Sequence, residues 1–155
     1  MIIRFLADYL VIIVVIIGAG SLLWFVRDGR YQTYVRLLMM GLTALLIARL
    51  LALVYQPDEV RPFIEQGVAA KASYLNNPGF PSDHVLFVTV IAIMVWVATK
   101  RTGLYGLLLV LSAGVAIGRV LALVHTPLDV AGGMLVALLA GVIWYPKQLI
   151  RPKAK

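Results

Sequence analysis

Residues 37–56 read LLMMGLTALLIARLLALVYQ, a twenty-residue stretch with a single charge, Arg49. About twenty mostly apolar residues are what a helix needs to cross the ~30 Å hydrocarbon layer of a bilayer. A soluble helix of this length would carry a polar face, and this stretch has none. The same signature recurs on both sides of it. N-terminal to it lies the uncharged run Tyr9–Val26, and C-terminal to it lie Val85–Thr99, Thr102–Gly118 and Val130–Pro146. The expected fold class is therefore all-α, a polytopic membrane helix bundle in one domain over 1–155. Five transmembrane helices are expected at about 4–26, 35–56, 83–99, 103–124 and 128–146.

The composition agrees and excludes other classes. Of the 155 residues, 62% are apolar or aromatic and 14% are charged, with a mean hydropathy of +0.95. Chains stay disordered when they are polar and highly charged, which this one is not. Without a single cysteine it can build neither a disulfide scaffold nor a thiolate metal site. The small residues Gly18-Ala19-Gly20-Ser21 look like a leader-cleavage site, but apolar residues continue through Val26. We read the first run as a retained span.

The formal charge of +7 is unevenly distributed. With five alternating spans, one face receives Arg27, Arg30, Arg36, Lys100, Arg101, Lys147, Arg151, Lys153 and Lys155, against Asp28 alone. Lys and Arg near helix ends mark the cytoplasmic side, so that face and the basic tail 147–155 are expected inside. The excess charge thus orients the chain in a cell membrane, and no contiguous basic patch points to nucleic acid. Trp24, Trp96, Trp144 and Tyr145 fall near the same ends, where an interfacial aromatic belt belongs.

On the other side, polar residues collect where lipid makes them costly. Arg61 follows the second span. Ser82, Asp83 and His84 open the third, Arg119 and His125 lie near the end of the fourth, and Asp129 opens the fifth. Two histidines can share nucleophile and general-acid work, because their pKa lies near neutrality. An Asp four residues after His125 can fix its tautomer. Guanidinium groups match phosphate oxygens in a bidentate fork. Ser82 and the amides opening the third span add donors at a positive helix end. The set suits an anionic tetrahedral phosphorus centre. Asp83 reads as a helix cap or a local structural residue, not as a catalytic group.

At these residues the sequence resembles a known family. Phe80-Pro81-Ser82-Asp83-His84 looks like the P-S-[G/D]-H motif of the type 2 phosphatidic acid phosphatase superfamily. Arg119, five residues, His125, three residues and Asp129 match its R-x5-H-x3-D spacing. The FPSDH form is most similar to bacterial undecaprenyl-diphosphate phosphatases. The resemblance covers roughly 49–145, with the catalytic motifs within 49–129. It implies that His125 attacks phosphorus, Asp129 orients it, and His84 protonates the leaving oxygen. Arg61, Ser82 and Arg119 would clamp the phosphoryl oxygens, with no metal or cofactor required.

The first motif departs from the family's K-x6-R-P. Arg61-Pro62 fits its second half, but Val54 stands seven residues earlier. A second register starts from Arg49 and ends on Gln56-Pro57. A short insertion would let Arg49 supply the missing charge, and Lys71 is a further candidate.

The implied activity is removal of phosphate from a polyprenyl (undecaprenyl) diphosphate, with the site facing the periplasm or exterior. The alternatives are a phosphatidate or phosphatidylglycerophosphate phosphatase, and a non-catalytic lipid-binding or transport relative. Either way the partner is a membrane lipid. The connection between the second and third spans is expected to carry a short amphipathic helix around Val60–Ala72.

Overall fold

The computed structural model describes residues 1–26, 30–57, 60–75 and 79–146. The tail 147–155 lies outside them, as do Arg27, Asp28, Asp58 and Glu59. Among the described residues there are five long helices and one single turn. These are α1 (Ile2–Phe25), α2 (Arg30–Val54), α3 (Pro62–Glu65), α4 (Asp83–Thr99), α5 (Thr102–Leu121) and α6 (Pro127–Trp144). α1 is widened over Phe5–Tyr9 into a π turn, where the Leu10 N–H donates to the Phe5 carbonyl.

Four of the five long helices are long and apolar enough to cross a bilayer. The fifth, α4, has 17 residues, roughly 25 Å at 1.5 Å per residue. It tolerates the shorter length because its neighbours enclose it. One face, Leu86, Val90, Ile93 and Val97, packs on Met40, Ala44 and Ala48 of α2 and on Val136, Ala137 and Ala140 of α6. The opposite face, Val88, Ala92 and Val95, meets Leu10 and Val14 of α1 and Leu108 and Val115 of α5. Both faces follow the three-to-four residue helical repeat.

The outer surface inverts the soluble pattern. Ile16, Leu38, Leu46, Leu53, Val110 and Leu135 point outward, while Gly18, Ser21, Ala44, Ala48, Ala137 and Ala140 are buried. Lipid offers apolar side chains no penalty, so small residues go inside, where they let helix backbones approach.

The two ends of the bundle differ in kind. One is closed by aromatic contacts: Trp96 stacks on Tyr105, Trp144 donates to Thr43, and Arg101 sits 3.7 Å over the Phe25 ring. The other end is polar and carries the connections 55–82 and 122–126.

Two expectations change at the polar end. The fourth span was expected to reach 124, but α5 stops at Leu121 and Leu123 takes a positive φ of 61°. The expected helix around 60–72 shrinks to the turn α3, ended by Gly67 at φ 64°. Each segment ends at a left-handed residue, Gly67 or Leu123, and the two segments are then tied to each other. The Phe63 N–H donates to the Leu123 carbonyl at 3.0 Å, and the Lys71 N–H to the Ala122 carbonyl at 3.3 Å.

Candidate active site

His125 sits on the short link between α5 and α6. Thr126 is the N-cap of α6 and Pro127 its first residue, a start that suits proline's fixed φ. Capping then places Asp129: its N–H donates to Thr126 Oγ1 at 3.2 Å, while its Oδ2 accepts the Thr126 N–H at 2.9 Å. The same Oδ2 lies 3.3 Å from His125 Nδ1. An ionised carboxylate only accepts, so the shared proton belongs on Nδ1 and the Nε2 lone pair is left free. His125 is 5% exposed and Asp129 3%. Burial pushes the His125 pKa below its ordinary value, and the bond to Asp129 opposes that shift.

The Phe80–His84 segment is fastened to the same helix. The Ser82 N–H donates to the Asp129 carbonyl at 2.9 Å. A Cβ at Gly133 would stand 2.7 Å from the Ser82 carbonyl, so a glycine is needed for this approach. Gln56 holds the segment from the other side: its amide nitrogen donates to the Phe80 carbonyl at 3.0 Å, and its oxygen accepts the Phe80 N–H at 3.4 Å. Ser82 caps α4 without a side-chain bond. Its hydroxyl is fully buried and has no partner among the described residues.

Arg61 and Arg119 are both buried. Arg61 donates to the carbonyls of Val124 and Leu75 at 2.5 and 3.1 Å, and burial lowers its pKa. Arg119 donates from Nη1 to Asp8 at 3.1 Å and to the Ser73 carbonyl at 2.8 Å. Its Nε is buried without a partner among the described residues.

These groups share one cleft of about 330 Å³, lined by Arg49, Gln56, Arg61, Asp83, His84, Arg119 and His125 together with apolar side chains. The structure therefore brings together His84, His125, Arg61, Arg119 and Arg49. Ser82 and Asp129 stand behind the lining. Lys71 lines a separate hollow beside Arg4 and Tyr9 and is no part of the cleft. Of the two roles expected for Asp83 the structure favours the local structural one: Ser82 holds the N-cap position, and Asp83 pairs with Arg49 at 3.2 Å on the rim. A second, apolar hollow of about 510 Å³ runs between α1, α2 and α4 and shares Arg49, Asp83 and His84 with the cleft. Among the described residues, no group of three or more His, Cys, Asp or Glu is arranged to hold a metal ion.

Three contributors escaped the sequence reading. Gln56 and Ser73 are uncharged and give no signal in a single chain. Asp8 did give one, since a carboxylate at the start of a span is costly without a partner.

The chain belongs to the PAP2 superfamily, whose signature matches residues 32–151. YbjG of Escherichia coli (strain K12) is 29% identical over 90% of this chain and 71% of its own. BcrC of Bacillus subtilis (strain 168), named undecaprenyl-diphosphatase, is 31% identical over 72% of this chain and 56% of its own. BcrC of Bacillus licheniformis, named bacitracin transport permease protein, is 35% identical over 61% and 45%. The chain thus spans between 45% and 71% of these relatives' own lengths. No solved structure matches at a significant level.

Proposed function

We propose that this chain is a multi-pass membrane lipid phosphatase that converts undecaprenyl diphosphate to the monophosphate through a phosphohistidine on His125. The observation that carries this reading is the cleft itself: His125, oriented by Asp129, faces the same space as His84, Arg61 and Arg119. The name of the Bacillus subtilis relative supports the choice of substrate.

In this scheme the His125 Nε2 lone pair attacks the terminal phosphorus. The bond from phosphorus to the bridging oxygen breaks, and that oxygen takes a proton from His84 and leaves as the lipid monophosphate. His84, now neutral, accepts a proton from water, whose oxygen attacks the phosphoryl group. The P–N bond breaks, its electron pair returns to Nε2, and inorganic phosphate leaves. Asp129 stabilises the imidazolium as charge develops. Arg61, Arg119 and Ser82 serve as preorganised donors to the phosphoryl oxygens, and Arg49 supplies positive charge at the rim. The catalytic unit is a single domain containing all of 49–129, and the scheme runs without metal. The bias of basic residues supports a cytoplasmic C-terminus and an outward-facing site.

The test is phosphate release from undecaprenyl diphosphate with EDTA present, wild type against His125→Ala. Release by wild type and its loss in the variant are expected; full release by His125→Ala overturns the mechanism. The second reading, a lipid-binding or transport protein without turnover, draws on the name of the Bacillus licheniformis relative. Trapping covalent phosphate on His125 excludes it, and turnover of phosphatidate or phosphatidylglycerophosphate in parallel assays separates the lipid classes.

A further inference from the structure

Asp8 lies in the π turn of α1, outside residues 32–151 that match the family. Its carboxylate collects three donors from distant parts of the chain. Oδ1 accepts from Arg119 Nη1 at 3.1 Å and from Ser73 Oγ at 2.8 Å, and Oδ2 accepts the Ser73 N–H at 3.0 Å. Arg4 stands further off, at 3.8 Å. The Ser73 carbonyl takes the second bond from Arg119 Nη1, at 2.8 Å. Nη1 carries two hydrogens, and both are used.

What remains follows from guanidinium geometry. The planar group presents forked pairs of N–H donors, each matched to two oxygens of an anion. With Nη1 committed to Asp8 and Ser73, the Nε edge is left over, and that nitrogen is buried without a partner among the described residues. The side chain is 1% exposed and lines the cleft. A buried charged donor left unpaired is costly unless a ligand completes it.

α1 is built to deliver Asp8 to this place. A Cβ at Gly118, one residue before Arg119, would stand 2.6 Å from the Ala7 N, so only glycine lets the two backbones close. The π turn then re-aims Asp8 relative to a regular helix, as such turns do at functional sites.

We propose that Asp8 is a positioning residue: with Ser73 it locks one end of the Arg119 guanidinium, leaving the Nε edge turned to phosphoryl oxygens. This rests on the reading of Arg119 as a phosphate ligand. α1 thereby completes the clamp from outside the matched region.

The test uses the full chain in detergent micelles, with two readouts. One is kcat and KM for phosphate release from undecaprenyl diphosphate. The other is the Tm shift produced by orthovanadate, a phosphate mimic. Asp8→Asn is expected to lower kcat/KM about 10- to 100-fold, the scale of a misplaced contact group, and to shrink the vanadate shift. Asp8→Glu, which keeps the charge, is expected to recover part of both. In an Arg119→Lys background, Asp8→Asn is expected to cost nothing further, because the effect runs through Arg119. Asp8→Asn within about twofold of wild type, with an undiminished vanadate shift, overturns the proposal. So does a loss that multiplies that of Arg119→Lys. Should Asp8→Asn fail to fold, Ser73→Ala carries the same test, and a loss persisting in the Arg119→Lys background is the refuting result. If wild type shows no turnover, the phosphatase reading falls, and the vanadate shifts across the variants still decide the role of Asp8.

Discussion

Replacing Asp129 by Asn is the sharpest test of the histidine mechanism, because the two side chains have nearly the same shape and differ in what they donate. Asp129 Oδ2 accepts from Thr126 N–H at 2.9 Å and faces His125 Nδ1 at 3.3 Å. Oδ2 makes both contacts, so an Asn can meet them in only one of two ways. With its oxygen there it accepts from Thr126 N–H and Nδ1–H but brings no negative charge to the imidazolium. With its NH₂ there it loses the Thr126 bond, donates to Nδ1, moves the imidazole proton to Nε2 and removes the attacking lone pair. In a serine-protease triad the equivalent tautomer error costs about 10⁴-fold in kcat. At 1.36 kcal/mol per tenfold, that is about 5 kcal/mol of barrier. We therefore expect kcat for Asp129→Asn to fall about 10²- to 10⁴-fold, the upper end being the tautomer error, with KM little changed. Stability should fall by only about 1 kcal/mol where the Asn oxygen keeps the cap bond. Asp129→Ala strands two buried donors instead, at about 1–3 kcal/mol each, and should lower Tm clearly more. The assay is steady-state phosphate release in micelles, with thermal unfolding of both variants alongside. A folded Asp129→Asn protein retaining more than about a tenth of wild-type kcat would refute the reading of this carboxylate as the group that orients and charge-stabilises His125.

Two further outcomes are expected. Ser82→Ala removes a hydroxyl that bonds nothing among the described residues, so Tm should stay within the range of a change of about 0.5 kcal/mol. Its kcat should nonetheless drop about 10- to 100-fold if the hydroxyl donates to a phosphoryl oxygen; an unchanged kcat returns Ser82 to a purely structural role. For pH, burial lowers the folded pKa of His125 below its ordinary value. The acid limb of kcat/KM should therefore lie below about 6.5, the unperturbed imidazole value. Because Asp129 raises that pKa, the limb of Asp129→Asn should move lower still. The same shift fixes the sign for stability. Below about pH 6.5 the unfolded chain takes up a proton that folded His125 resists, so the His125 contribution to Tm falls as pH drops. An acid limb above 6.5 contradicts the assignment.

What the chain alone made legible was what local spacing encodes. The apolar runs carried the helices to within a few residues. His125 and Asp129, four apart across a Thr-Pro start, carried their own contact, because the capping box at Thr126 folds the Asp129 carboxylate back onto the residue before the helix. The cleft's remaining bonds join residues far apart in sequence. Asp8 and Arg119 are 111 residues apart, and Arg61 and Val124 are 63 apart. No periodicity announces such pairs. The connection after α2 was harder still. Its apolar and polar residues suit a helix around 60–72, yet Gly67 turns left-handed after one turn and the Lys71 N–H donates to the Ala122 carbonyl. Arg49 illustrates a third kind of miss. Its charge was noticed, and Asp83 was read as a cap or a local structural residue, but only the packing of α2 against α4 brings the two within 3.2 Å.

The shared wall between the polar cleft and the apolar hollow has a kinetic consequence. Arg49, Asp83 and His84 border both spaces, so under the proposed function a lipid's headgroup reaches the histidines while its hydrocarbon stays at membrane depth. Encounter is then a two-dimensional search by lateral diffusion. Turnover on that reading follows the mole fraction of substrate in the lipid phase. Diluting the membrane with inert lipid at constant total substrate should slow the reaction, whereas adding buffer should not.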